Sequence, residues 1–279
     1  MKDPGIMDLC QYVRLLGKRK AYTKLFSEAD VDRMLGELER GTYRFSSMSR
    51  FDVPKPNKPG QVRPITKPAD EDRFVFGALL ELLHEYGDSK FSEHSHGFRP
   101  GRGAGSFFRE VNEWPPLDRA IQCDFVKCFE RIDPPLLLSF LRTDFFPDRL
   151  TLVDLIEQIL KVPIIDSNVK TCNVEGLGIP QGCPISPILL NLFLHRFDQM
   201  LGKLQYLSTG ERFFYWVRYA DDLLFGFPKK KEGAWTYPKP ENVLYPRKDE
   251  SRPFTHTKMP SCPMCRLIEL LPVQTLPGR

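Results

Sequence analysis

Hydrophobic residues recur at helical spacing in several parts of the chain. Residues 30–41 (DVDRMLGELERG) form an amphipathic pattern that Gly41 would end, and residues 73–86 (RFVFGALLELLHEY) repeat the spacing in a more apolar stretch. Residues 150–162 (LTLVDLIEQILKV) show it again. The pattern therefore predicts three helices, and residues 1–50 as a whole are predicted to be mostly helical.

A long helix and a β-hairpin are predicted in the following part of the chain. Residues 177–204 join a Gly/Pro turn to a long apolar stretch, in which Ser186 suits the N-cap and Pro187 the first helical position. Residues 212–227 (RFFYWVRYADDLLFGF) consist of two aromatic and branched runs around a pair of aspartates. Such runs on either side of two polar residues are typical of a hairpin, so we predict two strands with the aspartate pair as the turn.

Proline, glycine and basic residues mark the segments between these elements. Residues 51–68 (FDVPKPNKPGQVRPITKP) predict loops and short strands, and residues 94–108 (HSHGFRPGRGAGSFF) predict a Gly/Arg loop that leads into a helix. Nine of the 25 prolines fall in the last 52 residues, which show no sustained periodicity. We therefore predict an N-terminal helical extension (1–50), a central domain (51–227) and an irregular proline-rich tail (228–279).

The composition is typical of a globular protein, and the net charge is only a weak indication of the binding partner. It has 279 residues, of which 41% are hydrophobic and 27% charged. No apolar run approaches the roughly 18–20 residues of a membrane span, so we expect no membrane contact. Ten Lys/Arg against five Asp/Glu follow residue 222, whereas 30 stand against 31 up to it, so the net charge of +4 is a weak signal for nucleic acid.

Three aspartates are the strongest candidates for chemistry. Asp221 and Asp222 are adjacent between two apolar strands, and Asp124 interrupts the apolar run AIQC-D-F, which begins as a short buried strand. Adjacent carboxylates repel each other and raise each other's pKa unless a cation holds them. Carboxylate oxygens suit Mg²⁺, and two such ions about 4 Å apart can activate a 3′-hydroxyl and stabilise a leaving pyrophosphate. On spacing alone, a polar hairpin turn and a strand-end cap explain the three residues equally well.

Five motifs in a fixed order favour the metal-site explanation of the three aspartates. They are PKPNKPGQVRPI, SHGFRPGRG, DFVKCFERID, GIPQGCPISPILLNLFL and RYADD. Together they resemble the reverse transcriptases encoded by group II introns, including the maturase-related proteins of organelles, over roughly residues 35–227. The resemblance implies an α+β fold of the right-hand polymerase type, with fingers and a palm whose antiparallel sheet is flanked by helices.

The resemblance also implies roles for the aspartates and for one aromatic residue. Asp124 matches the first catalytic aspartate of the palm, and Asp221 and Asp222 match the aspartate pair of the YxDD motif. The resemblance implies that the three form a site for two Mg²⁺ ions, in which Asp124 and Asp221 bind both ions and Asp222 contributes less directly. Phe129 matches the aromatic residue that packs against the sugar, where a ring would clash with a 2′-hydroxyl and select deoxynucleotides. Glu130 stands where the family generally has aspartate.

Further residues match the nucleotide- and template-binding positions of the family. Gln181 and Gly182 belong to the GIPQG turn, which is implied to support the template and the incoming base. Arg63 and Lys55 match basic positions that contact the triphosphate, and Arg63 is the better candidate because a guanidinium can bind phosphate through two hydrogen bonds. Arg99 is expected either to contact the template backbone or to order the fingers by pairing with acidic residues.

The implied function is that of an RNA-directed DNA polymerase linked to intron mobility and splicing. Its partners would be an RNA template (intron RNA), a DNA primer and dNTPs. The family continues beyond the YADD motif with a thumb and a maturase domain, which we expect to be missing after Phe227, so a second chain could supply them. The alternatives are an RNA-binding splicing cofactor (maturase) without polymerase activity and a non-functional remnant. The expected location is a mitochondrion that encodes the protein, with a chloroplast or a bacterial cytoplasm as alternatives.

Overall fold

The helices and strands come from a computed structural model, which describes residues 3–56, 60–125, 127–166, 178–206 and 210–229. The predicted irregular tail from residue 230 onward lies outside the described residues. The α-helices are α1 (Pro4–Gly17), α2 (Glu28–Glu39), α3 (Asp70–Gly87), α4 (Ala104–Asn112), α5 (Cys128–Arg131), α6 (Pro134–Phe140), α7 (Leu150–Leu160) and α8 (Ser186–Leu204). The strands are β1 (Met48–Pro54), β2 (Val62–Lys67), β3 (Leu117–Asp124), β4 (Ile164–Asp166), β5 (Tyr215–Tyr219) and β6 (Asp222–Pro228).

The three helices predicted from apolar spacing are confirmed as α2, α3 and α7. Helix α2 begins with a capping box, in which the Ser27 hydroxyl accepts from the backbone of Asp30 and the Asp30 carboxylate accepts from the backbone of Ser27. It is followed by Gly41 in the left-handed region, with φ of 67°. Among the described helices, none combines the length and the apolar character that crossing a bilayer would need.

Helix α8 differs from the prediction at its first residue. Ser186 was expected as the N-cap, but it is the first residue of the helix. Its hydroxyl donates to the carbonyl oxygen of Pro180 at 2.5 Å, so the side chain ties the preceding turn to the helix. The sequence favoured the N-cap role because serine has a high preference for that position, whereas the turn geometry decides which partner the hydroxyl meets.

Contacts divide the chain into two units, and the first contains a mixed sheet. This unit comprises Met1–Phe91 and Phe129–Leu194. Its sheet has the order β2-β1-β4, in which β1 is antiparallel to β2 and parallel to β4. Helix α3 carries much of the core of this unit, since Phe74, Phe76 and Leu79 are fully buried.

The second unit contains the predicted hairpin. Among the described residues it comprises Ser92–Cys128 and those from His195 to Lys229, and its antiparallel sheet has the order β3-β6-β5. Trp216 and Val217 on β5 are buried at 1% and 0% exposure, which anchors the hairpin in the core of this unit. The predicted domain boundaries at residues 50 and 227 stay predictions.

The turn of the hairpin lies one residue earlier than the sequence indicated. Strand β5 ends at Tyr219 and pairs there with Asp222, so the turn consists of Ala220 and Asp221. Ala220 has φ of 56°, a conformation that two-residue hairpin turns commonly require. Asp222 is therefore the first residue of β6 rather than part of the turn.

Candidate active site

The three predicted catalytic aspartates meet at one end of the β3-β6-β5 sheet. Asp124 is the last residue of β3 and stands directly opposite Asp222 in the antiparallel register. Directly opposed residues of neighbouring strands project from the same face of a sheet. Asp221 precedes Asp222 in the turn, and its carbonyl oxygen accepts a hydrogen bond from the backbone of Phe125 at 3.3 Å. The fold thus brings together carboxylates that are about 100 residues apart in the sequence.

The carboxylates interact electrostatically. Partial desolvation and then the negative charge of Asp221 raise the pKa of Asp222, and a hydrogen bond from the Gln122 side chain lowers it in part. Burial and the charges of Asp221 and Asp124 likewise raise the pKa of the nearby Cys128 thiol, to about 12, with Arg218 opposing them. A cation bound at this end of the sheet would relieve the repulsion between the carboxylates.

The donor atoms of this group suit magnesium. Asp124, Asp221 and Asp222 offer only carboxylate oxygens, which is the chemistry that Mg²⁺ prefers. Within the described ranges, no three His, Cys, Asp or Glu side chains are already placed to hold one metal ion together.

A buried arginine stabilises the hairpin through hydrogen bonds of its side chain. Arg218 on β5 has 0% side-chain exposure, and its guanidinium forms two hydrogen bonds with the equally buried carboxylate of Asp198 on α8, at 2.9 and 2.5 Å. The same guanidinium donates to the carbonyl oxygen of Ala220 and to the Ser95 hydroxyl, both at 2.8 Å. Arg218 thus fixes the turn residue that immediately precedes the aspartate pair.

The loop that begins the SHGFRPGRG motif packs against β5 and its turn. The backbone of Arg218 donates to the carbonyl of His94 at 2.8 Å and accepts from the backbone of His96 at 2.9 Å. A Cβ atom on Gly97 would lie 2.3 Å from the backbone nitrogen of Ala220. This glycine therefore permits a close backbone approach that no other residue allows.

Replacement of Gly97 by alanine is expected to destabilise the protein by about 1–3 kcal/mol, because the added methyl group would force the loop and the turn apart. Thermal and urea unfolding would measure the change. Gly105→Ala is the matched control, since a Cβ at this position on α4 meets nothing within 4 Å and alanine favours helix. Equal stability of the Gly97 variant and the wild type would contradict the close packing.

Other side chains hold the same loop in place. Arg99 is 7% exposed and donates to the carbonyls of Ser92 and Ser95, at 2.7 and 2.9 Å. Glu110 on α4 accepts hydrogen bonds from both His94 and His96. Burial opposes its ionisation, but these two bonds outweigh burial and lower the pKa of Glu110. The template contact and the pairing with acidic residues predicted for Arg99 both stay predictions.

The predicted nucleotide-binding residues of the first unit gather around β2. Arg63 is exposed on β2, and Lys55 follows β1 in the same hairpin, where its backbone donates to Gln61 at 2.9 Å. The carbonyl of Gln181 accepts from both the backbone and the hydroxyl of Thr66, at 2.6 and 2.7 Å. A Cβ on Gly182 would lie 2.6 Å from the Thr66 carbonyl oxygen, so the GIPQG turn lies directly against β2.

Phe129 lies in the short helix α5 and contacts the other end of the same turn. Its carbonyl oxygen accepts from the backbone of Ile179 at 2.7 Å. Gly178 has φ of 87°, and a Cβ there would lie 2.9 Å from the carbonyl oxygen of Glu130. The structure therefore groups Phe129, Gln181, Gly182 and Arg63 within the first unit, and the three aspartates within the second.

Sequence reasoning missed the residues that support the aspartates. Arg218 was included in an apolar strand, although a charged residue within VRYADD was a signal for a buried ion pair. Its partner Asp198 lies 20 residues earlier in a helix and gave no comparable signal. Gly97 lies within a motif that was noted for its arginines.

Comparison with known proteins identifies the family of this chain. The family model described as reverse transcriptase (RNA-dependent DNA polymerase) matches residues 53–243. The chain is 28% identical over 242 residues to a COX1/OXI3 intron 1 protein of Saccharomyces cerevisiae, covering 70% of this chain and 28% of that protein. It is 27% identical over 183 residues to the group II intron-encoded protein LtrA of Lactococcus lactis, covering 64% of this chain and 29% of LtrA. A telomerase structure from Candida tropicalis aligns with a TM-score of 0.48 and 13% identity, covering 67% of this chain and 44% of that one.

The chain belongs to the reverse transcriptase family, because the family model matches more than half of it. Its similar relatives include group II intron-encoded proteins, as the motifs predicted. Family membership confirms the predicted fold class, an α+β reverse-transcriptase fold of the fingers and palm type. The chain spans less than a third of the length of these two relatives.

Proposed function

We propose that this chain is the polymerase part of a group II intron-encoded reverse transcriptase, which extends a DNA primer on an intron RNA template. The observation that carries the proposal is the meeting of Asp124, Asp221 and Asp222 at one end of the β3-β6-β5 sheet. Three carboxylates at a hairpin turn and a strand end lie at the edge of the sheet and outside the hydrophobic core. Repulsion between these carboxylates costs free energy when no cation is bound, whereas a bound cation is coordinated by their oxygens and offsets the repulsion.

In this proposal the aspartates bind two magnesium ions. When bound, the ions would activate the primer 3′-hydroxyl and stabilise the leaving pyrophosphate. Asp124 and Asp222 supply opposed carboxylates on neighbouring strands, and Asp221 supplies a third from the turn. Arg218 keeps the turn in place through its bond to the Ala220 carbonyl.

Nucleotide binding is assigned to the residues around β2. Arg63 is exposed and can bind phosphate oxygens through two parallel hydrogen bonds. Lys55 would add a positive charge, and Gln181 and Gly182 would support the template and the incoming base. Phe129 would pack against the sugar and disfavour a 2′-hydroxyl. Arg99 is assigned a supporting role at the template through the loop it orders.

The proposal extends to partners and location. The relatives named after introns support an intron RNA as the natural template and a link to intron mobility or splicing. The proposed location is a mitochondrion that encodes the protein. The bacterial relative supports a bacterial cytoplasm as an alternative.

The purified chain is expected to extend a labelled DNA primer annealed to an RNA template when Mg²⁺ and dNTPs are present. Products would be resolved on a denaturing gel. Omission of Mg²⁺ or replacement of dNTPs by NTPs should abolish extension, because the proposal needs both the metal and a sugar that lacks the 2′-hydroxyl. Extension without a divalent ion would contradict the assigned mechanism. RNA binding without extension would instead favour the splicing-cofactor alternative.

A further inference from the structure

Three non-glycine residues have a positive φ within the described ranges, and all belong to the second unit. They are Phe98 (58°), Lys127 (51°) and Ala220 (56°). Ala220 is explained by its place in the hairpin turn. Phe98 is the unusual one, because bulky side chains avoid this conformation and glycine or asparagine normally supplies it. A strained residue at such a position is a candidate for function.

The surroundings of Phe98 hold it in this conformation. Gly97 on one side is pressed against the backbone of Ala220. Arg99 on the other side is buried and bonded to the carbonyls of Ser92 and Ser95. The two neighbours are therefore fixed, and the backbone between them cannot relax. The loop maintains the strain at Phe98 in the folded protein.

Packing in the hydrophobic core does not explain why position 98 carries a phenylalanine ring. The residue is 43% exposed, whereas most of the phenylalanines of the described core are exposed by a few per cent or less. Glycine or asparagine would adopt the same φ without exposing an apolar surface. The position therefore combines a backbone cost with a solvation cost, and both would be offset if the ring packed against a ligand.

The place of Phe98 indicates which ligand that would be. It follows Gly97, whose Cβ position lies 2.3 Å from the nitrogen of Ala220, and Ala220 is followed directly by Asp221 and Asp222. If these aspartates serve a primer 3′-hydroxyl, the last nucleotides of the primer strand lie close to this turn. Aromatic rings pack on nucleotides with little regard to their sequence, as a polymerase requires.

We propose that Phe98 is a binding residue for the 3′-terminal nucleotides of the primer, and that its strained loop exists to present the ring beside the aspartate turn. The inference rests on the proposed function and specifies a contact within that site. It assigns a role to the SHGFRPGRG motif that differs from template binding by its arginines.

Phe98→Asn tests the proposal, because asparagine tolerates the positive φ while it removes the ring. Binding of the full chain would be measured by fluorescence anisotropy with two probes, a DNA primer annealed to an RNA template and the same RNA without primer. We expect affinity for the primed template to fall about tenfold and affinity for the unprimed RNA to change less than about twofold. Phe98→Tyr keeps a ring and should bind the primed template within about twofold of the wild type.

Phe108→Ala is the matched control. Phe108 is also exposed, at 61%, but it lies in the regular helix α4 and has no positive φ. Its loss should leave binding of both probes unchanged. The melting temperature of Phe98→Asn should equal or exceed that of the wild type, since the substitution removes backbone strain. This result would separate the binding role from a role in folding.

Two results would overturn the inference. The first is equal affinity of Phe98→Asn and the wild type for the primed template, and the second is an equal loss for both probes. Primer extension measured in parallel decides the proposed function separately. A wild-type chain that binds the primed template without extending it would refute the polymerase proposal, whereas the anisotropy difference would still decide the role of Phe98.

Discussion

Asp124→Asn is expected to lower the rate of primer extension by at least about a thousandfold. The substitution removes one negative charge and a metal ligand from the end of β3, and metal ions contribute several kcal/mol of transition-state stabilisation to reactions of this class. The rate of single-nucleotide addition at saturating Mg²⁺ and dNTP would measure the effect. Asp221→Asn should act similarly, because Asp221 is the other aspartate assigned to both ions.

Asp118→Asn provides the control for this experiment. Asp118 is exposed on the same strand but lies near its other end, away from the aspartate group. The control should retain extension close to that of the wild type. Both variants should unfold at temperatures near that of the wild type, because neither change creates a cavity. Full extension activity in Asp124→Asn would refute the assignment of this residue as a metal ligand.

Arg218→Met is expected to destabilise the protein by about 3–5 kcal/mol. The substitution leaves the buried carboxylate of Asp198 without its cation, and an uncompensated buried charge is costly. It also removes the hydrogen bonds to Ala220 and Ser95, both of 2.8 Å. Urea unfolding followed by circular dichroism would measure the loss.

The double variant Arg218→Met/Asp198→Leu separates the ion pair from the local packing. Removal of both charges eliminates the uncompensated carboxylate, so the double variant should be more stable than Arg218→Met alone. Polymerase activity should be low in both the single and the double variant, since both lack the hydrogen bond to the Ala220 carbonyl. A double variant less stable than either single variant would contradict the buried-charge explanation.

The sequence was most informative where a pattern of apolar residues is compatible with only one type of secondary structure. The apolar spacing of residues 73–86 can be buried only as a helix of that length, and the structure contains α3 there. The two apolar runs around Asp221 and Asp222 likewise predicted the hairpin. Family motifs then identified a reverse transcriptase, because several short patterns in a fixed order are far more specific than any one of them.

Local patterns were less informative about register and partners. They placed the turn at Asp221 and Asp222, whereas the pairing of Tyr219 with Asp222 moves it to Ala220 and Asp221. A shift of one residue changes which side chains share a face of the sheet. Here it places Asp222 opposite Asp124, and this register follows from packing between segments that are far apart in the chain.

The sequence by itself determined the family, the principal helices, the hairpin and the three candidate aspartates, because these depend on residue type and short-range spacing. Only the tertiary structure decided how the aspartates meet and what supports them. The ion pair between Arg218 and Asp198 and the close approach of Gly97 to Ala220 join separate elements of the fold, and the positive φ of Phe98 is a backbone conformation that its residue type disfavours. Such relations arise from packing and backbone geometry, which no local pattern of residues encodes.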